Sequence, residues 1–100
     1  MIKGTTPTHI FSLPFDTALI KTVEITYAQN DTVILTKGNA DCVFDGNDVS
    51  VRLTQAETLL FADGTCVEIQ VRVLTLGDDA IASPIMRIHC HDCLSCEVLA

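Results

Sequence analysis

Apolar and polar residues alternate with a period of two in six or seven short stretches of this chain, separated by turn-forming residues. That period places one face of each stretch in a core and the other in water. "THIFSL" predicts a first strand with Phe11 and Leu13 on one face. "KTVEITYA" predicts a second, with Val23, Ile25 and Tyr27 inward and Glu24 and Thr26 outward. It ends at "AQND", where Asn and Asp tolerate unusual φ and bond their own backbone. "TVILT" is a third strand. After "KGNA", "DCVF" is a short fourth, and "DGND" turns the chain into "VSVRL" as a hairpin, with Val49, Val51 and Leu53 inward and Ser50 and Arg52 outward.

"TQAETLLF" breaks this rhythm. Thr54 followed three residues later by Glu57 is a capping box, which satisfies the free amides at a helix start. One short helical turn is expected from about Thr54 to Leu60. "ADGT" then turns the chain into "CVEIQVRVLT", whose Val67, Ile69, Val71 and Val73 form an unbroken inward row against Glu68, Gln70 and Arg72. This reads as the central strand. "LGDD" makes the next turn, and "AIASPIMRIHC" is the last strand. Pro84 inside it has no amide hydrogen, so it belongs at an edge or a bulge. A bulge also accounts for the change of parity from Ile81 to Met86 and Ile88. The expected class is all-β, a sandwich or barrel of about seven strands.

A chain of 100 residues is one domain by length, expected here as a β-sandwich over residues 1–91 and a Cys-containing tail over 92–100. Apolar residues make up 48% of it with no Trp, the profile of a packed domain. No apolar run is long enough to span a bilayer, and "MIKGTTPTHIF" lacks a signal-peptide stretch, so a cytoplasmic start is expected. The odd count of five cysteines fits reduced thiols better than a disulfide framework. Net charge is −7, and the six basic residues are scattered. Nucleic acid and anionic membranes need clustered cations, so neither is an expected partner.

Candidate chemistry concentrates at "HCHDCLSC", where His89 through Cys96 packs two histidines, an aspartate and three cysteines into eight residues. In a strand, Met86, Ile88 and Cys90 share one face, so Cys90 continues the inward row while His89 and His91 point to solvent. Cys93 and Cys96 then lie on a short tail whose Leu94, Val98 and Leu99 could dock against the domain or a neighbour. The sharper alternative is zinc, bound by thiolates of Cys90, Cys93 and Cys96 with His89 or His91. All these ligands lie close together in sequence, whereas zinc sites usually join two separated pairs. An iron–sulfur run would need its next cysteine at position 100, which is Ala100.

Weaker signals resolve to bland readings. Asp41, Asp45 and Asp48 imitate the start of a calcium loop, but its closing glutamate would fall at Arg52. His9 could be a general base, yet no local signature puts a nucleophile beside it, and a partly buried histidine is expected. The five aromatics, Phe11, Phe15, Tyr27, Phe44 and Phe61, read mostly as core, which disfavours a sugar-binding face.

The run "VSVRLTQAETLLFADGTCVEIQVRVLT", preceded by "GTTPTHIFSLPFD" and followed by "DDAIASPI", resembles small proteins encoded by bacteriophages and prophages of gut Firmicutes. Its layout is similar to the N-terminal immunoglobulin-like domain of phage baseplate upper proteins. The resemblance extends to about Ile88 and implies an immunoglobulin-like antiparallel sandwich with a virion-associated or assembly role. The expected function is a non-enzymatic structural or interaction module of a tail, baseplate or connector, found in the host cytoplasm during assembly and in the virion. Its expected partners are other virion proteins and copies of itself. A homo-oligomer is expected, with an interface at Pro84, Cys93, Leu94, Cys96, Val98 and Leu99, because an edge strand carrying proline and an apolar tail needs covering. The alternatives are a small carbohydrate- or ligand-binding sandwich, or a binding domain stabilised by zinc at the terminal Cys/His cluster.

Overall fold

Eight strands, one α-helical turn and two 3-10 turns, at Thr17–Leu19 and Asn39–Asp41, succeed one another in a computed structural model that describes residues 1–100. In chain order the strands and the α-helical turn are β1 (Thr8–Ser12), β2 (Ile20–Gln29), β3 (Thr32–Lys37), β4 (Cys42–Asp45), β5 (Asp48–Arg52), α1 (Gln55–Thr58), β6 (Cys66–Thr75), β7 (Ala80–Ala82) and β8 (Met86–His89). Every pairing between them is antiparallel. One sheet runs β1-β5-β4, and the other runs β3-β2-β6-β7 with β8 also on β6. Taken in chain order, these match the B-E-D and C′-C-F-G sheets of an immunoglobulin-like sandwich, with β7 and β8 sharing the place of the last strand. No helix is long and apolar enough to cross a membrane.

The inward rows meet in the core. Val23, Ile25 and Tyr27 of β2 and Val67, Ile69, Val71 and Val73 of β6 pack against Val49, Val51 and Leu53, with Phe61 and Cys90 closing the same cluster. Phe11, Leu13 and Phe15 pack at its margin. Phe44 is the aromatic that departs from the core reading: at the short edge strand β4 it remains 39% exposed. No buried side-chain nitrogen or oxygen lacks a hydrogen-bond partner, so the core is apolar where unpaired and satisfied where polar.

The last strand is split at the position of Pro84. Ala82 faces Arg72 in β7, while Met86 faces Ile69 in β8, so three residues oppose two across the gap. Ser83 bridges the irregularity: its N–H donates to the Val71 carbonyl at 2.8 Å and its Oγ accepts from the Val71 N–H at 3.0 Å. The extra residue restores inward parity, with Ile81 opposite Val73 and Ile88 opposite Val67. This one bulge is why eight strands appear where seven are expected.

The capping box at α1 forms as its spacing requires: Thr54 Oγ1 accepts from the Glu57 N–H at 3.1 Å, and Glu57 Oε1 accepts from the Thr54 N–H at 2.8 Å. The turn then continues through Leu59 and Leu60. Its side chains hold three distant segments. Thr58 Oγ1 donates to the Thr5 carbonyl at 2.9 Å. Glu57 pairs with Lys37 at the end of β3. The Gln55 amide bonds the Leu99 backbone from both sides, accepting at 2.7 Å and donating at 3.0 Å. Local capping therefore fixes a small hub that ties the start of the chain, the crossover between sheets and the tail together.

Candidate functional site

The terminal cluster is spread over different environments. Cys90 is fully buried at the end of the inward row, while His89 and His91 are exposed, their rings 4.5 Å apart. Strand alternation separates them, as expected. Beyond His91 the chain forms no helix or strand. Cys93 is half-buried against the N-terminal segment, where a Cβ on Gly4 would lie 3.8 Å from its sulfur. Cys96 is exposed. No three histidine, cysteine, aspartate or glutamate side chains converge where a metal could be held, so the zinc ligand set inferred from spacing, His89 or His91 with Cys90, Cys93 and Cys96, is not brought together. The reason is geometric: Cys90 points into the core while its neighbours point away.

Two edges of the sandwich differ sharply. Just past the end of β8, Met1–Lys3 lies beside His89–His91: the Met1 ammonium donates to the His89 carbonyl at 2.9 Å, and the His91 N–H donates to the Met1 carbonyl at 2.8 Å. The Lys3 N–H donates to the His91 carbonyl at 3.0 Å. This segment stops short of β7. The outer side of Ala80–Ala82 carries no strand, and neither does the outer side of β1. Between these two edges lies a groove of about 260 Å³, formed by Leu13, Phe15, Val71, Val73, Ile81 and Pro84 among others. Of the residues expected at an interface, Pro84 lines this groove, while Leu94, Cys96, Val98 and Leu99 are exposed on the tail.

A second group of polar side chains sits between the sheets. His9 and Cys42 both face Val51 from either side of β5, so they share one row with it above Tyr27. Burial, then the charges of Cys42 and Glu57, raises the Tyr27 pKa well above its ordinary value. Its hydroxyl therefore stays protonated, and it shares a hydrogen bond of 2.7 Å with His9 Nδ1. Burial first, and the Met1 ammonium second, lowers the His9 pKa. Burial likewise raises the Cys42 thiol, followed by the charge of Asp41. A neutral histidine hydrogen-bonded to a buried phenol, beside a protonated thiol, is a satisfied structural network and presents no activated nucleophile. The acidic residues of the calcium-like stretch also take separate structural roles. Asp41 accepts from the Gly38 N–H at 2.9 Å, and Asp48 accepts from Ser12 Oγ at 2.7 Å.

Three features escaped the sequence pattern. The Lys37–Glu57 pair had a faint signal, because Lys37 has the same parity as Leu35 and so falls on the inward face of β3. The Gln55 bonds to Leu99 and the bonding of Met1–Lys3 to His89 and His91 had none, since either amide or backbone could have met water instead.

Compared with known proteins, the chain matches no family model, no curated protein and no solved structure.

Proposed function

We propose that this chain is a non-enzymatic interaction module of a phage particle, which joins copies of itself and other virion proteins through the open β7 edge and the C-terminal tail. The observation that carries this reading is the unpaired edge at Ala80–Ala82 beside an apolar groove. An unpaired edge presents backbone donors and acceptors in a row, and native folds rarely leave such a row uncovered. Here Met1–Lys3 reaches only His89 at the end of β8 and His91 beyond it, and Ile81 in the uncovered part is 43% exposed. The tail adds Leu94, Val98 and Leu99, all exposed. Apolar surface of this kind on a small acidic domain favours association with another chain.

The virion setting rests on the likeness of the Val49–Thr75 run and its flanks to phage-encoded proteins. Mass spectrometry of particles purified through a density gradient after prophage induction tests it. The chain is expected in the particle or in assembly intermediates at a constant ratio to the other structural proteins. Recovery only in the particle-free lysate, as a monomer, would overturn the reading.

A further inference from the structure

One part of the terminal Cys/His cluster is brought together by the fold. The His89 and His91 rings stand 4.5 Å apart, centre to centre, at an interplanar angle of 64°, and both side chains are exposed. They share a face because residues two apart in extended backbone point the same way. The segment that carries them is clamped from both sides. On one side the Cys90 N–H donates to the Thr65 carbonyl at 3.1 Å, and the Gly64 N–H donates to the Cys90 carbonyl at 3.0 Å. On the other, the Met1 ammonium donates to the His89 carbonyl at 2.9 Å, and the His91 N–H donates to the Met1 carbonyl at 2.8 Å. Between the two rings the Cys90 side chain is locked in the core. The backbone under the pair is therefore set before any ligand arrives, which lowers the ordering cost of binding one.

We propose that His89 and His91 form a two-imidazole chelate for a divalent cation of the nickel–copper class, with water completing the coordination. An ion bonded to an imidazole nitrogen at about 2.0–2.1 Å lies about 3.2 Å from the ring centre. Two rings at adjacent corners of a square or octahedron then have centres about 4.5 Å apart, and at two corners of a tetrahedron about 5 Å. The observed separation is that of adjacent ligands on one ion, so side-chain rotation closes the site without moving the backbone.

The ligand type and geometry select the class of ion. Imidazole suits copper, nickel and zinc, and right-angle placement favours the tetragonal geometry of the first two. The net charge of −7 draws cations to the surface. Cys66 stands opposite His89 on β6, yet no third histidine, cysteine or carboxylate completes a metal-holding group with the pair. Two ligands hold an ion in rapid exchange with the buffer, so it leaves on chelation while the domain stays folded.

The test titrates nickel chloride into the full chain with all thiols reduced, reading affinity by calorimetry and the imidazole ring signals by NMR. One nickel per chain is expected in the micromolar range, with the His89 and His91 ring signals broadened together and before those of His9. His89→Gln and His91→Gln should each weaken binding by roughly tenfold or more, because the second ligand no longer binds within the same molecule. Both positions are exposed, so circular dichroism should match the unsubstituted chain. Cys93→Ser combined with Cys96→Ser should leave the affinity unchanged. No binding at millimolar nickel, undiminished affinity in either histidine variant, or loss of binding in the cysteine double variant would each overturn the proposal.

Discussion

Lys37 and Glu57 meet at 2.5 Å, joining the end of β3 to the first turn of α1 across the end of the sandwich. Lys37 is only 7% exposed, and Glu57 is half-buried. Burial alone would raise the Glu57 pKa, but hydrogen bonds from Lys37 and Thr54 and the Lys37 charge outweigh it and hold the carboxyl below its ordinary value. Removing the carboxylate strands a buried ammonium. Glu57→Ala is therefore expected to cost about 3–5 kcal/mol. Lys37→Met leaves Glu57 with its Thr54 bond and contact with water, and is expected to cost about 1–2 kcal/mol. Urea unfolding of the two variants checks the order; equal costs would mean that the pair is not the anchor of the hub.

The folded state also holds His9 with a pKa below its ordinary value of 6.5. The unfolded chain therefore binds more protons than the folded one below that value. The stabilisation is present above pH 6.5 and declines as pH falls through the window between the unfolded and folded values. His9→Gln keeps a hydrogen-bond partner for Tyr27 and removes the titration. Its thermal midpoint is expected to vary less than that of the unsubstituted chain between pH 7 and 5. Identical pH profiles would show that His9 does not titrate with folding.

Ile69 and Glu68 are neighbours on β6 with opposite fates. Ile69 is buried in the core, while Glu68 faces outward and pairs with the exposed Arg87 at 3.2 Å. Ile69→Ala empties a core position and is expected to cost about 2–5 kcal/mol. Glu68→Ala loses only a surface ion pair, expected within about 0.5 kcal/mol. Chemical denaturation of both variants gives the comparison, and similar costs would reverse the assigned faces.

The strands were legible because one rule governs them: a half-buried strand alternates, and the apolar rows Val23–Tyr27, Val49–Leu53 and Val67–Val73 obey it. Pro84 and the parity change from Ile81 to Met86 exposed the bulge for the same reason. The capping box was legible because it is local, closing within the four residues Thr54–Glu57. What the pattern could not carry were contacts between segments distant in sequence. Gln55 reaches the tail 44 residues away, and Met1 reaches His89 over 88. Neither contact leaves a trace in local periodicity. The Cys/His spacing shows neighbours in sequence but not their faces: the strand sends Cys90 into the core and leaves His89 and His91 exposed.

That alternation bears on metal content. Protein purified without added metal is expected to hold far less than one zinc per chain by elemental analysis, and a chelator to leave its melting temperature unchanged. One tightly held zinc per chain, with unfolding on chelation, would make the tail a structural metal site.

If the β7 edge and the tail join copies of this chain, its mass in solution exceeds that of one chain. Light scattering on a sizing column, at several concentrations, is to be run on the full chain, on residues 1–91 and on Ile81→Lys. The shortened chain keeps Cys90 in the core and His91 beside Met1–Lys3, so its β-fold is expected to persist by circular dichroism. The full chain is expected to be an oligomer, residues 1–91 to associate more weakly, and Ile81→Lys to shift to monomer. A full chain that remains monomeric at every concentration, or an oligomer that neither change weakens, would contradict it.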